Sequence, residues 1–227
     1  YEVFRTANGG TTFTPLVFAT LPTNAVFRRG SVYSSNRVLA AYKGAAAGST
    51  LFISTDGTTW ATQEFPMLNI AGVYAAPTLG DIYAWGQDTA SSAYIIYKNG
   101  SSSWTGTTPI RDIFFVDPNN GYAAGNSGLV MSTTNGGATW TTLTAPTSNN
   151  LTTLNFITAN FGWAGGTGGT MLYTSTGALS WESYTLTPAG VDINDLCVRS
   201  SGGGTTVQAL AFAAGSGGKI FKLESPV

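Results

Sequence analysis

The acidic side chains are the residues of this sequence that could most directly support catalysis. Two neighbouring carboxylates can act as acid and base, or as acid and nucleophile, in glycoside hydrolysis. The aspartates available for such a pair are Asp81, Asp88, Asp112, Asp117, Asp192 and Asp195. No two of them lie in a diagnostic motif, and solvated turn carboxylates explain all of them more simply. We therefore predict no glycosidase site from these residues.

Histidine is absent, and Cys197 is the single cysteine. Without His, the Ser-His and Cys-His nucleophile pairs and the commonest transition-metal ligand are missing. One cysteine cannot form an intramolecular disulfide, and its neighbours Leu196 and Val198 favour a buried, inert thiol. An isolated turn carboxylate such as Asp56 seldom forms the oxygen cage that Ca²⁺ needs. We predict no metal site.

The sequence also gives little support for nucleotide binding, nucleic-acid binding or membrane insertion. The glycine-rich residues 165–169 and 202–204 do not lead into a helix with a following Lys and Ser or Thr, so we predict no nucleotide cofactor. Charged residues make up 9% of the chain and its net charge is −1, so no overall field attracts nucleic acid. No apolar run is long enough to span a bilayer. The sequence given opens with residues 1–4, Tyr-Glu-Val-Phe, and not with the basic and then apolar residues of a signal peptide. We expect a soluble intracellular protein or a mature chain whose leader has been removed.

The elements that must position any site repeat along the chain. Residues 110–143 contain four short apolar or Thr-rich runs separated by Gly, Asn or Pro, and residues 151–181 repeat them in order. Looser copies lie on both sides. The copies close on the aromatic residues Phe13, Trp60, Trp104, Trp140 and Trp181. Their spacing of 36 to 47 residues is that of one four-stranded propeller blade, roughly 40 to 50 residues.

We therefore predict an all-β fold, a β-propeller of four-stranded antiparallel blades that forms a single domain over residues 1–227. Five blades are expected, with six as the alternative. The second run of each copy reads Gly-aromatic-Ala-small-Gly, and its glycines indicate close backbone approach between blades.

It is less clear how the first and last blades join to close the ring. Residues 1–5 and residues 219–223 both resemble the third strand of a blade, and only one of them can occupy that position in the closing blade. We expect the last blade to combine three C-terminal strands with a fourth strand from residues 12–18. The spare strand would offer an edge for pairing, so an oligomer formed through the terminal strands is also expected.

The turn between the third and fourth runs carries the most distinctive motif. In residues 54–60 and 132–140 a Ser, then Asp or Asn, Gly, Thr and Trp follow in order. The pattern resembles the Asp-box of bacterial neuraminidase repeats. Asn or Asp bonds its own backbone in such a turn, Gly accepts positive φ, and the Trp packs between blades. The residues assigned to these structural turns are Asn8, Asp56, Trp60, Asn99, Trp104, Asn135, Trp140 and Trp181.

A wider resemblance covers essentially the whole chain. The ordered series Ile-x-Phe, Gly-Trp-Ala-x-Gly, Gly-x-Ile and Asn-Gly-Gly-x-Thr-Trp is similar to the repeat of the photosystem II stability/assembly factor family. That resemblance implies a propeller that docks on a membrane complex through a basic patch, with a thylakoid-associated or periplasmic location.

The Asp-box also leaves a sialidase-like hydrolase as an alternative. Such an enzyme needs three arginines on a carboxylate, a Tyr nucleophile with a Glu, and an acidic proton donor. The arginines present are Arg5, Arg28, Arg29, Arg37, Arg111 and Arg199. Residues 27–30 depart from the Phe-Arg-Ile-Pro that the sialidases carry ahead of their first box. We therefore predict a protein that is not an enzyme and needs no cofactor.

Composition favours a third interpretation, which we rank first: an extracellular or virion surface module that decorates a shell, fibre or appendage. Few charges, one Cys and abundant Thr, Ser, Gly and Asn are typical of such proteins, and a pure spacer is the simplest alternative. Protein partners or glycans would then bind exposed aromatic and amide side chains on one rim of the ring. The candidates are Tyr33, Tyr42, Asn119, Asn120, Asn149 and Asn150.

Overall fold

A computed structural model shows a stack of antiparallel sheets that follow one another in chain order. It describes residues 3–6, 8–16, 18, 26–33, 36–44, 48–65, 68–76, 80–201 and 208–224. Over these ranges the chain forms 21 strands and three short 3-10 turns. None of the helical segments there is long and apolar enough to cross a membrane.

The strands group into six sheets, numbered I to VI along the chain. The strands are β1 (Val3–Arg5) and β2 (Thr14–Leu16) in sheet I; β3 (Val26–Tyr33), β4 (Asn36–Gly44), β5 (Gly48–Ser54) and β6 (Ala61–Phe65) in sheet II; β7 (Leu68–Ala75), β8 (Ile82–Asp88), β9 (Tyr94–Lys98) and β10 (Ser101–Gly106) in sheet III; β11 (Ile110–Phe115), β12 (Gly121–Gly125), β13 (Val130–Thr133) and β14 (Thr141–Leu143) in sheet IV; β15 (Leu151–Phe156), β16 (Gly162–Gly166), β17 (Met171–Thr174) and β18 (Glu182–Ser183) in sheet V; and β19 (Ile193–Ser201), β20 (Gln208–Gly215) and β21 (Lys219–Glu224) in sheet VI. The 3-10 turns, Asn126–Gly128, Thr167–Gly169 and Ser216–Gly218, join the second and third strands of sheets IV, V and VI.

Sheets II to V have the predicted blade architecture. Their strands pair antiparallel in chain order, and the first strands of neighbouring sheets, from β3 through β7, β11 and β15 to β19, contact one another. The first strands therefore line the common centre, and the fourth strands lie on the outside. Each sheet has two rims. The hairpin rim carries the turns between first and second and between third and fourth strands, and the opposite rim carries the 3-10 turns and the connections between sheets.

The expected ring closure is wrong. Strand β2 pairs with β1, with Val3 opposite Leu16, and sheet VI contains only β19, β20 and β21 within the described residues. The reason is local. Asn8 Oδ1 accepts the Thr12 N–H at 2.9 Å, and Thr6 Oγ1 accepts the Gly10 N–H at 2.9 Å, so an Asp-box turn folds the two short strands onto each other.

The core is divided among the interfaces between neighbouring sheets. In two of them an aromatic ring on a second strand stacks on a Phe at the end of the next sheet's first strand. Tyr83 stacks on Phe115 at 4.5 Å between ring centroids, and Tyr122 stacks on Phe156 at 3.8 Å. The Tyr83 hydroxyl also donates to the carbonyl oxygen of Gly136 in sheet IV, at 2.7 Å. Each interface is thus fixed by ring packing and by a polar contact.

The Asp-box tryptophans pack at these same interfaces. Trp140 meets Phe115 edge to face at 5.9 Å, and Trp181 meets Phe156 at 6.0 Å. Their indole N–H groups are buried and have no hydrogen-bond partner within the described residues. The tryptophans therefore contribute apolar area to the fold.

Sheet III departs from the predicted turn. Asn99 and Gly100 form a two-residue hairpin with φ of 49° and 84°. The Asn99 side chain accepts from the Ile82 N–H at 2.9 Å, so it bonds a neighbouring strand and does not staple its own turn. Trp104 lies inside β10, after a register shift, whereas Trp60 directly precedes its strand. Asn99 and Trp104 are therefore hairpin and strand residues and not parts of an Asp-box.

Cys197 is exposed, and the expected buried thiol is wrong. Its position in β19 alternates with the buried Leu196 and Val198, so its side chain lies on the opposite face of sheet VI. That face has no neighbouring sheet within the described residues. Burial at this position would require such a neighbour, which the local sequence does not reveal.

Candidate functional site

A β-bulge recurs in the first strand of sheets II to VI. In each case the register shifts by one residue near the rim that carries the 3-10 turns. The extra residues are Arg28, Ala71, Arg111, Thr152 and Asn194. Because the first strands line the centre, these residues form an arc around it that we call the bulge ring, and its side of the molecule is the bulge rim. Bulges re-aim side chains and are common beside functional sites.

Exposure distinguishes the bulge ring from the strands around it. Ala71, Arg111 and Asn194 are exposed, although each directly follows a buried isoleucine. The Arg111 Nε–H donates to Asn126 Oδ1 at 2.7 Å, which holds the guanidinium beside the 3-10 turn. Within the described residues its terminal NH₂ groups have no hydrogen-bond acceptor. They can therefore receive a carboxylate in the two-point geometry that arginine favours.

Asp112 lies next to Arg111 and links sheets IV and V. Its Oδ1 accepts the Ile113 N–H at 3.0 Å, and its Oδ2 accepts the Leu154 N–H of sheet V at 2.9 Å. Burial raises the pKa of this carboxyl from 3.8 to about 6, and the charge of Asp195 acts in the same direction, while these N–H groups oppose it. The Asp112 carboxylate thus connects two neighbouring sheets, although burial disfavours its charged form.

Thr152 connects the next pair of sheets. Its hydroxyl lies at 3.1 Å from the Gly165 carbonyl oxygen and also contacts the Ile193 carbonyl oxygen of sheet VI. Thr152 and Asp112 therefore hold successive first strands together. The bulge ring rests on a rigid base, which favours binding because little conformational freedom is lost.

We expect the stability of the protein to fall as the pH rises from about 4 to about 6, by up to about 2 kcal/mol from Asp112. The folded pKa of this group, about 6, lies above its ordinary value of 3.8, so the neutral form is favoured in the fold and the penalty appears as the proton is lost. Urea unfolding across this pH range measures the effect. Asp112→Asn should flatten the curve between pH 4 and 6, and a variant curve parallel to that of the parent would contradict it.

The six ligand-binding candidates do not meet in one place. Tyr33 ends β3 at the hairpin rim, where Asn119 and Asn120 occupy the turn between β11 and β12. Tyr42 lies near the opposite end of β4, at the bulge rim, and residues 149–150 precede β15 on that side. The side chains of the two tyrosines lie outside what the structure describes.

The asparagine amides take part in turns. Asn120 Nδ2 donates to Asp117 Oδ2 at 2.8 Å, and Asn149 Nδ2 donates to Thr170 Oγ1 at 2.8 Å. Asn150 Oδ1 accepts the Ser127 N–H at 3.0 Å, across to sheet IV. A ligand role for these residues stays a prediction.

The bulge ring was not among the predicted sites, although the sequence carries a signal for it. Residues 110–113, 151–154 and 193–196 each place two polar residues between two apolar ones. Strict alternation in a half-buried strand allows one polar residue between apolar neighbours, so the extra polar residue indicates a bulge.

Metal-binding chemistry finds no support in the part of the chain that the structure describes. There, no three His, Cys, Asp or Glu side chains gather as a metal site requires. The chemistry available at the bulge ring is recognition through Arg111 and neutral polar groups.

Radially stacked four-stranded meanders with Asp-box turns define the chain as a BNR-type β-propeller. Residues 104–190, which include sheets IV and V, match the family model described as photosynthesis system II assembly factor YCF48. The chain thus resembles the photosystem II assembly factor-like propellers, as its repeats indicated. No curated protein matches the sequence.

Solved structures agree on the fold. The chain is similar to YCF48 from Cyanidioschyzon merolae, with 15% identity over 98% of this chain and 74% of that one and a TM-score of 0.66. It is similar to the WD40 β-propeller domain of Doa1, with 11% identity over 88% of this chain and 69% of that one and a TM-score of 0.55. A structure of YCF48 bound to D1 peptide aligns at 14% identity over 99% and 87% of the two chains, with a TM-score of 0.48. The predicted β-propeller class is confirmed.

Proposed function

We propose that this protein is a non-enzymatic docking propeller of the photosystem II assembly factor type, which binds a partner protein at the bulge ring. The observation that carries the proposal is the family match over residues 104–190, a segment that contains Arg111, its acceptor Asn126 and the Asp112 connector. Of the bulge-ring residues, the matched segment therefore contains the exposed Arg111 of sheet IV and Thr152 of sheet V.

The chemistry of the bulge ring supports an acidic partner segment. Arg111 can bind a carboxylate at two points, and the neighbouring Ala71, Thr152 and Asn194 offer small or neutral polar surface. A side-chain or C-terminal carboxylate on an extended segment fits such a surface. Charge-assisted contacts of this type contribute about 1.5–3 kcal/mol each.

A thylakoid-associated location goes with this proposal. The extracellular or virion module expected from composition gains no support from the comparisons. Glycan recognition and self-association through the terminal strands also lack support there, so the docking role is the one we put forward.

Binding to photosystem II assembly complexes tests the proposal directly. Arg111→Glu should weaken binding of the immobilised protein to solubilised thylakoid complexes by about 10- to 100-fold, because a charge-assisted pair becomes a repulsion. Arg199→Glu is the matched control, since Arg199 is also an exposed arginine on a first strand but lies away from the bulge. Equal binding by both variants, or no binding by the parent protein, would overturn the proposal.

A further inference from the structure

The outer face of sheet VI exposes apolar residues that its position in the repeat would bury. Phe212 is 40% exposed and Ile220 is 76% exposed, and Cys197 lies opposite Phe212 across the β19–β20 pair. With Asp195 and Ala214, these residues line a groove of about 440 Å³. We call this surface the sheet VI face.

The same register positions are buried in the preceding sheets. Phe212 lies three residues before the glycine that ends its second strand, as do Tyr122 and Trp163, which are 4% and 0% exposed. Both of these rings are buried in the clusters that join their sheet to the next one.

Ile220 follows the same rule. It pairs with the residue before the terminal glycine of β20, and its equivalents Val130 and Met171 are 0% and 1% exposed. The sheet VI face therefore has the apolar composition of an interface between blades, but no blade covers it within the described residues.

Polar groups at this face also lack the partners that their equivalents have. The carboxylate of Asp112 accepts two backbone N–H groups, one from its own strand and one from Leu154 of the next sheet. Asp195 occupies the same position after the bulge in sheet VI. In the described part of the chain its carboxylate accepts only the Leu196 N–H of its own strand. The carboxylate of Asp195 thus has capacity for a further N–H donor.

A second polar group repeats the comparison. The middle residue of each 3-10 turn directs its N–H to the sheet that follows: Ser127 N–H donates to Asn150 Oδ1 at 3.0 Å, and Gly168 N–H donates to Asp192 Oδ1 at 2.6 Å. Gly217 occupies this position in sheet VI, and no acceptor meets its N–H among the described residues.

We propose that the sheet VI face is a docking surface for one further blade-type β-sheet. That sheet would carry an aromatic ring at the end of its first strand to stack on Phe212, an aliphatic side chain against Ile220, and an Asn or Asp ahead of that strand for the Gly217 N–H. The segment that leads into that sheet would add a fourth strand to sheet VI beside β21, which pairs on that side with no strand of the described residues. The interface between sheets IV and V supplies the whole of this pattern through Phe156, Val130 and Asn150, so the occupant is defined by continuity with contacts already present.

The fold leaves room for such an occupant. The structure of YCF48 from Cyanidioschyzon merolae aligns with 98% of this chain over 74% of its own chain, so part of that chain has no counterpart in the alignment.

The proposal can be tested by adding a further copy of the repeat after β21, in the same register as the preceding copies. Residue 224 corresponds to residue 134, since Ile220 opposite Ala214 matches Val130 opposite Ala124. A copy of residues 135–187 joined directly after Glu224 would supply a fourth strand for β21, the Leu154 N–H for Asp195, the Phe156 ring for Phe212 and the Asn150 amide for Gly217.

Cys197 reports the result without further change, because it is the single cysteine and lies on the sheet VI face. We expect the joined copy to slow the reaction of Cys197 with the thiol reagent DTNB by at least about tenfold, as burial of a thiol does. The matched control carries Leu154→Asp and Phe156→Asp in the joined copy alone and should react at the original rate. Equal rates in both would overturn the proposal.

Two measurements on the unextended protein keep the proposal testable if the joined copy does not fold. Phe212→Ser should leave the melting temperature nearly unchanged, whereas Tyr122→Ser at the equivalent position should lower it by several degrees. Similar losses in both would show that the sheet VI face is already covered within the chain. Protection of Cys197 with a doubled mass at raised protein concentration would identify a second copy as the occupant. Either result rejects the added sheet.

Discussion

Replacement of Phe156 by alanine is expected to lower the free energy of unfolding by about 3–5 kcal/mol. Phe156 is 3% exposed, its ring stacks on Tyr122 with 5° between the planes, and Trp181 meets it edge to face. Removal of the ring leaves a cavity between sheets IV and V and takes away the stacking partner of Tyr122. Urea unfolding measures the loss.

Phe13→Ala is the control for this experiment, since Phe13 is 62% exposed and should cost less than about 0.5 kcal/mol. A cost below about 1 kcal/mol for Phe156→Ala would mean that sheets IV and V do not pack in solution as they do here.

Gly128→Ala is expected to cost about 3 kcal/mol or more. Gly128 has a φ of +69°, where an alanine is strained by about 1–2 kcal/mol, and its N–H donates to the Asn149 carbonyl oxygen at 2.8 Å. An added Cβ would also overlap the Thr147 carbonyl oxygen, which is backbone and cannot rotate away. The backbone strain at residue 128 and the overlap with Thr147 add to each other. Movement of residue 128 away from Thr147 would break its N–H hydrogen bond to the Asn149 carbonyl oxygen.

Gly218 provides a control at the same position of the repeat. Its φ is +71°, but a Cβ there would meet no atom within 4 Å. Gly218→Ala should therefore show the backbone strain alone, about 1–2 kcal/mol, and the difference between the two variants isolates the close approach. Thermal unfolding of both proteins measures it, and equal costs would show that the connection at Thr147 yields freely.

Much of the fold could be predicted from the sequence, because each blade is specified by short-range patterns. The runs in residues 110–143 and 151–181 define strand lengths and turns locally, and repetition in order implies that the copies pack alike. The glycines of the second strands were predicted to allow close approach between blades, but a Cβ at Gly125 or Gly166 would overlap the backbone of the chain segment that enters the same sheet, so the close approach at these two positions is within a blade.

The features that could not be predicted depend on non-local neighbours. Residues 12–18 were assigned to a C-terminal blade, but an eight-residue hairpin loop between Arg5 and Thr14 closes at far lower entropic cost than a contact across the chain. Cys197 has apolar flanks typical of a buried residue, yet its exposure is decided by whether a sheet covers the sheet VI face.

The candidate site shows the same division. Polar loop residues such as Asn119 and Asn149 are easily found, but successive connections of a meander alternate between two rims, so loops close in sequence are separated in space. Arg111 was named from the sequence only among the arginines available to a sialidase-like site. Its position at the centre follows from the bulge, which only a comparison of the first strands across all copies reveals.

The division of the core among separate interfaces governs how the molecule comes apart. Each sheet is held mainly by the sheets beside it, so cooperativity passes along the stack from neighbour to neighbour, as it does in repeat proteins. Sheets III, IV and V each have a packed neighbour on either side and form the most protected part, whereas sheet VI is packed on one face only within the described residues. Opening fluctuations therefore start at the ends of the stack, where Asn194 lies in sheet VI, and reach Arg111 and Thr152 last, so the part of the bulge ring around Arg111 keeps its shape while the periphery frays.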